Sequence, residues 1–186
     1  MTAGPEELEL ITQASKGDET AFRRLLELHE KAVASVVIGM IGPGDDADDV
    51  GQDTFVRFLG SLSKFRGDSS VRTYLTRIAM NLSIDVLKRR KRTLGWIRFG
   101  ESKADANIAA PDETVTIEQD DTRARVRRAV DKLDVNGRSV VLLRILEERS
   151  TREAAEILGV PEGTVMSRLK RAMEKLEVEL RPLMKE

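Results

Sequence analysis

The chain has 186 residues, 40% of them apolar, 34% charged and 4% aromatic, with no cysteine and a net charge of −1. A length of this order holds one ordinary domain or two small ones, and the absence of cysteine excludes disulfides, thiol catalysis and thiolate metal sites. Scarce aromatics favour cores of Leu, Val and Ile on helices over a β-rich fold.

The near-neutral total conceals a pattern. The balance is −6 over residues 1–70, +6 over 71–92, −5 over 93–122 and +4 over 123–186. A plain nucleic-acid binder is usually basic throughout. Alternation suits a protein that meets DNA with some surfaces and a protein partner with others. The lone histidine, His29, has no second His and no convergent acidic cluster beside it, so it reads as a helix-surface or core residue. Neither a metal nor a cofactor is expected. The opening MTAGPEELEL is acidic and polar, unlike a signal peptide. No apolar stretch approaches the roughly 20 residues that a membrane span needs. Cytoplasmic location without membrane insertion is the expectation.

In chain order, residues 6–40 show helical periodicity, through Leu8, Ile11, Phe22, Leu25, Leu26, Leu28, Val33, Val36 and Val37, broken at Lys16-Gly17-Asp18. Gly42-Pro43-Gly44 is a firm break, after which Asp45 or Asp46 caps a helix over 47–62 with more acid in its first turn. A polar loop from Lys64 to Ser70 leads to a long helix over 71–92. Its buried stripe is Val71, Leu75, Ile78, Leu82 and Val86. Thr73, Arg77, Met80, Asn81, Ile84 and Lys88 lie on the other side. It ends in Lys88, Arg89, Arg90, Lys91 and Arg92. Such a run also describes a solvated helix end, compensating the dipole. Here it abuts exposed Met80, Asn81 and Ile84 and a loop with Phe65 and Arg66. Apolar surface, an aromatic ring and positive charge together suit unpaired bases.

Residues 93–122 hold Gly95, Gly100, Pro111 and most of the acidic excess, and read as a flexible linker. Helices resume over 123–134, 137–147, 150–158 and 161–181. The fold class is therefore all-α: two small helical domains, 1–92 and 123–186, joined by an acidic tether long enough to leave both free. In the second, Ser150 and Glu153 form a capping box, Gly159 supplies a turn and Pro161 opens the next helix. Together these make a helix-turn-helix. Val165, Leu169, Ala172, Met173 and Leu176 form one face of its second helix. Thr164, Ser167, Lys170 and Arg171, with Arg168 on the flank, form a basic, hydroxyl-bearing back fitted to a DNA groove. An ordinary amphipathic helix with a solvated face is the bland alternative.

Several segments carry a resemblance: Gly17-Asp-Glu-Thr-Ala-Phe22, Asp46-Ala-Asp-Asp-Val-Gly-Gln-Asp-Thr-Phe-Val-Arg57, Arg77-Ile-Ala-Met-Asn81 with the basic run, Val140-Val-Leu-Leu-Arg144, and Val160-Pro-Glu-Gly-Thr-Val-Met-Ser-Arg-Leu-Lys-Arg171. In this order they resemble the two domains of extracytoplasmic-function (ECF) sigma factors. The resemblance implies that Asp49, Gln52, Asp53 and Arg57 dock on the β′ clamp helices of core RNA polymerase. It implies that Phe65, Arg66, Arg77, Met80, Asn81, Ile84 and Lys88–Arg92 recognise and open the minus-ten element. Thr164, Ser167, Arg168, Lys170 and Arg171 would read the minus-35 element, with further partners in the β flap and an anti-sigma factor. The chain departs from the family pattern at Gly51, where an apolar residue is usual, at Tyr74 for tryptophan, and at Met166 for Lys or Arg. A sigma mimic that sequesters an anti-sigma factor and a stand-alone helix-turn-helix regulator are the competing readings. Neither a nucleophile–base pair nor a metal set points to an enzyme.

Overall fold

The computed structural model describes residues 4–65, 67–100 and 119–181, and the regular elements among them are helical. Helix α1 (Pro5–Ser15) starts on a proline whose missing N–H is not needed there, and Glu7 Oε2 accepts from the Gly4 amide at 3.4 Å. Asp18 caps α2 (Glu19–Ile41): its Oδ1 accepts from Thr20 N at 2.9 Å and from Ala21 N at 3.1 Å. Helix α3 (Asp45–Ser61) carries Asp45, Asp46 and Asp48 in its first turn, but its N-cap is Gly44. These carboxylates therefore act on the helix dipole and not as the expected cap.

A 3-10 turn (Leu62–Lys64) and a loop lead to α4 (Val71–Gly100). The expected stripe is in place: Val71, Leu75, Leu82 and Val86 are buried and Ile78 half-buried. Helix α4 runs eight residues past the boundary read from the sequence, because no proline intervenes and a single interior glycine costs only about 1 kcal/mol. At the far side α5 (Gln119–Asp131) begins earlier than expected. The remainder of the expected linker, 101–118, lies outside the described residues.

Helix α6 (Val135–Val141) is capped by Asp134, whose Oδ1 accepts from Gly137 N at 2.8 Å, and continues into a π turn (Leu142–Leu146). Helices α7 (Thr151–Leu158) and α8 (Glu162–Leu180) complete the chain. In the N-terminal unit α2 packs against α1, α3 and α4; in the C-terminal unit α8 packs against α5, α6 and α7.

The two units are not separate bodies. One buried cluster joins Leu25, Val36, Met40, Phe58, Leu75 and Met80 to Val140, Leu142, Leu143, Ile157 and Val165, and α7 packs on α4. This corrects the expectation of two freely tethered domains. Apolar residues at the ends of α2, on α6 and in the π turn are left over once each unit has filled its own core, and burying them together is favourable. A smaller cluster of Ala129, Leu133, Val141, Ala172 and Leu176 holds α5, α6 and α8.

His29 belongs to the core side of α2, with its Nε2 3.1 Å from Glu7 Oε1. Burial pushes its pKa down, and the Glu7 carboxylate opposes that shift without overcoming it.

Candidate nucleic-acid interface

Helix α3 buries Ala47, Val50, Thr54, Phe55 and Phe58 and turns Asp49, Gln52, Asp53 and Arg57 outward. Spacings of three and four residues place the outward set on one face. Sequence reasoning missed the centre of that face: Val56 is 66% exposed, with Leu59 also exposed beside it. The signal was an apolar residue at the middle of a polar stripe. A groove lined by Phe22, Leu26 and Leu59 adjoins it.

On α4, Arg77, Asn81 and Lys88 are exposed and Ile84 half-buried, at offsets of four, three and four residues along one side. Met80 is a correction. It is 0% exposed and part of the core cluster, so it cannot present itself to a base. One residue from Asn81 is a 100° rotation, enough to bring it under the neighbouring helices. Thr73 is likewise buried, its hydroxyl 2.9 Å from that of Ser70.

Arg90 turns back: its Nη1 donates to Ile41 O at 2.9 Å and its guanidinium pairs with Asp46. Arg89, Lys91 and Arg92 are exposed. Phe65 is half-buried in an aromatic trio. Its centroid is 5.3 Å from Tyr74 and 6.5 Å from Phe58, both contacts edge-on. Tyr74 thus packs where the family's tryptophan is usual. Arg66 lies outside the described residues.

In the C-terminal unit the capping box is formed. Glu153 N donates to Ser150 Oγ at 3.1 Å, and Ser150 N donates to Glu153 Oε2 at 2.9 Å. The Ser150 amide and hydroxyl hold the Glu153 carboxyl below the usual carboxylate range. Gly159, at φ 63 and ψ 36, makes the left-handed turn that a side chain would strain. Helix α8 buries Val165, Ala172 and Leu176 and exposes Ser167, Lys170 and Arg171, with Thr164 and Arg168 half-buried. Met173, placed by periodicity on the buried face, is 44% exposed, a correction that follows from its position at the margin of the stripe. Arg171 Nε donates to Ser167 O at 3.2 Å, folding the side chain along its own helix.

The fold brings the two candidate readers together. Asn81, Ile84, Asp85 and Lys88 line one wall of a cleft. Val135, Asn136, Ser139, Leu158, Val160 and Arg168 line the other. Asp85, an acid within the reading face of α4, was not singled out from the sequence.

Residues 25–93 match the family description Sigma-70 region 2, and residues 123–176 match Sigma-70, region 4. The sequence is 32% identical over 184 residues to the ECF RNA polymerase sigma-E factor of Escherichia coli (strain K12), covering 95% of each chain. The chain belongs to the ECF RNA polymerase sigma factors. The ECF sigma factor SigW of Bacillus subtilis (strain 168) is 30% identical over 183 residues, covering 93% of this chain and 96% of SigW. Among solved structures, CnrH in complex with the cytosolic domain of CnrY aligns with a TM-score of 0.68 at 29% identity, over 95% of this chain and 98% of that one. In this sigma factor region 2 thus spans most of α2, all of α3 and most of α4, and region 4 carries the helix-turn-helix. As a sigma factor the protein serves promoter-directed transcription initiation.

Proposed function

We propose that this sigma factor docks on core RNA polymerase through the outward face of α3, with Val56 as its apolar centre and Asp49, Gln52, Asp53 and Arg57 around it. Helix α4 captures the minus-ten element as unpaired DNA through Arg77, Asn81, Ile84 and Lys88, aided by the basic run. Helix α8 reads the minus-35 duplex through Thr164, Ser167, Arg168, Lys170 and Arg171. Polymerisation chemistry stays with the polymerase, and the sigma factor opens the duplex by binding energy alone. It works in the bacterial cytoplasm, where its polymerase is. No described helix is long and apolar enough to cross a membrane. An anti-sigma factor is a further partner, by analogy with CnrH, whose structure was solved with the cytosolic domain of CnrY.

The observation that carries this reading is the line of exposed Arg77, Asn81 and Lys88 with half-buried Ile84 on a helix whose opposite side packs into the core. Positive charge tracks a backbone, while amide and apolar surfaces hold bases. Permanganate footprinting of the holoenzyme tests it. Asn81→Ala should bind promoter DNA yet leave minus-ten thymines unreactive. Normal reactivity would remove Asn81 from the opening step.

A further inference from the structure

Helix α8 carries one large apolar side chain where its neighbours are polar. Met166 is 63% exposed, on the half of the helix that also holds exposed Glu162, Gly163, Ser167 and Lys170. Glu162, Gly163 and Lys170 each lie one turn from it. Val165, the residue before it, is fully buried, whereas Met166 lies outside both buried clusters and outside the cleft toward α4.

A single exposed apolar side chain is ordinary on a protein surface. Two features set Met166 apart. The first is its place near the start of α8, the second helix of the helix-turn-helix; that part of such a helix meets base edges. The second is what lies before it. Long side chains on a helix lean back over the preceding turn, and there Met166 meets Gly163, where a Cβ would find no atom within 4 Å. The thioether thus has open space over bare backbone, which gives a base edge room to approach.

A thioether gains little from the hydrogen-bonding groups of the major groove. The apolar group on its floor is the C5 methyl of thymine. Methionine, unbranched and polarizable, adapts its shape to such a partner. We propose that Met166 is a specificity-determining residue of the upstream reader, selecting one thymine of the minus-35 element by packing against its C5 methyl group. The proposal rests on the assignment of α8 as the minus-35 reader. Ser167 and Lys170 hold phosphates or polar base edges and set the depth of the helix; Met166 adds a preference that no hydrogen bond carries. Burying one methyl group is worth about fourfold in affinity, so this preference is graded.

The test uses holoenzyme assembled from core polymerase and the full chain, on a duplex promoter taken from those it transcribes. Each thymine of the upstream element, on either strand, is replaced singly by deoxyuridine. The replacement removes the methyl group and keeps every hydrogen-bonding atom. Competition binding reads the relative affinities. With the wild-type protein one replacement should weaken binding about three- to fivefold. Met166→Ala should bind thymine and uracil alike at that position, while Met166→Leu, still apolar, should keep the discrimination. Met166→Lys should lose it and tighten binding to all sequences alike at low salt.

A wild-type holoenzyme indifferent to every uracil would overturn the proposal, as would a Met166→Ala variant that still discriminates. So would a loss in Met166→Ala that is equal on thymine and uracil and shared by Met173→Ala, which would assign this side of α8 to a protein contact. Arg171→Ala separates the proposal from the reading beneath it. If wild type and Arg171→Ala both tolerate every base-pair change in the upstream element, α8 is not the reader. If Arg171 matters and the methyl group does not, only the role of Met166 falls.

Discussion

The guanidinium of Arg138 reaches the carbonyl of Met40 across 98 residues of sequence, at 2.7 Å and almost out of solvent. Burial pushes the Arg138 pKa down and Asp131, 3.1 Å away, opposes the shift. Acceptors answer the two terminal nitrogens of Arg138, Met40 O and the Asp131 carboxylate at Nη1 and Asp131 O at Nη2, while its buried Nε has no hydrogen-bond partner.

Arg138→Ala should lower unfolding stability by about 1–3 kcal/mol, since it orphans the buried Met40 carbonyl. Urea denaturation checks this. A loss within error would mean that water replaces the guanidinium freely.

Gly51 lies in the interior of α3, and a Cβ there would meet no atom within 4 Å. Gly51→Ala should stabilise the protein by roughly 0.5–1 kcal/mol through backbone entropy. The melting temperature should rise while core polymerase affinity holds. A fall in affinity would show that α3 needs to yield on docking.

His29 has its pKa lowered from 6.5 by burial. The unfolded chain therefore binds more protons than the folded one just below that value, and stability rises with pH there. The stabilising difference is fully present above about pH 6.5 and is lost as pH falls through the folded value. His29→Gln should flatten the stability curve between roughly pH 7 and pH 5 relative to wild type. Parallel curves would assign the acid sensitivity elsewhere.

Much of this was legible in the sequence, for reasons that are local. The Ser150–Glu153 box, the Gly159 turn and the stripe Val71, Leu75, Leu82 and Val86 follow from capping chemistry and a period of 3.6. What escaped depends on partners far along the chain. Met80 and Asn81 differ by one step of helix, and only the helices packed above decide which is buried. Arg138 and Arg90 look like any surface arginine until α2 presents its bare carbonyls. Val56 hides because an apolar residue among carboxylates signals core as readily as contact. The early end read for the long helix came from composition, which marks a charge change but not the last helical turn.

Charge reversal at Asp49 and Asp53 together should weaken core polymerase binding at least tenfold while leaving helicity intact. Val56→Ser should weaken it too, with little dependence on salt, because it removes apolar contact and not charge. Titration of labelled protein with core polymerase reads both. Unchanged affinity in the double reversal would move docking off α3.

Run-off transcription with purified core polymerase on a library of promoter variants tests the central claim most directly. The wild-type protein should confer initiation on a subset sharing two elements about two helical turns apart. Arg171→Ala should relax preference at one upstream base pair, with a loss of about 1–3 kcal/mol on the favoured sequence. A protein that binds core polymerase yet starts no transcript on any variant would contradict the account.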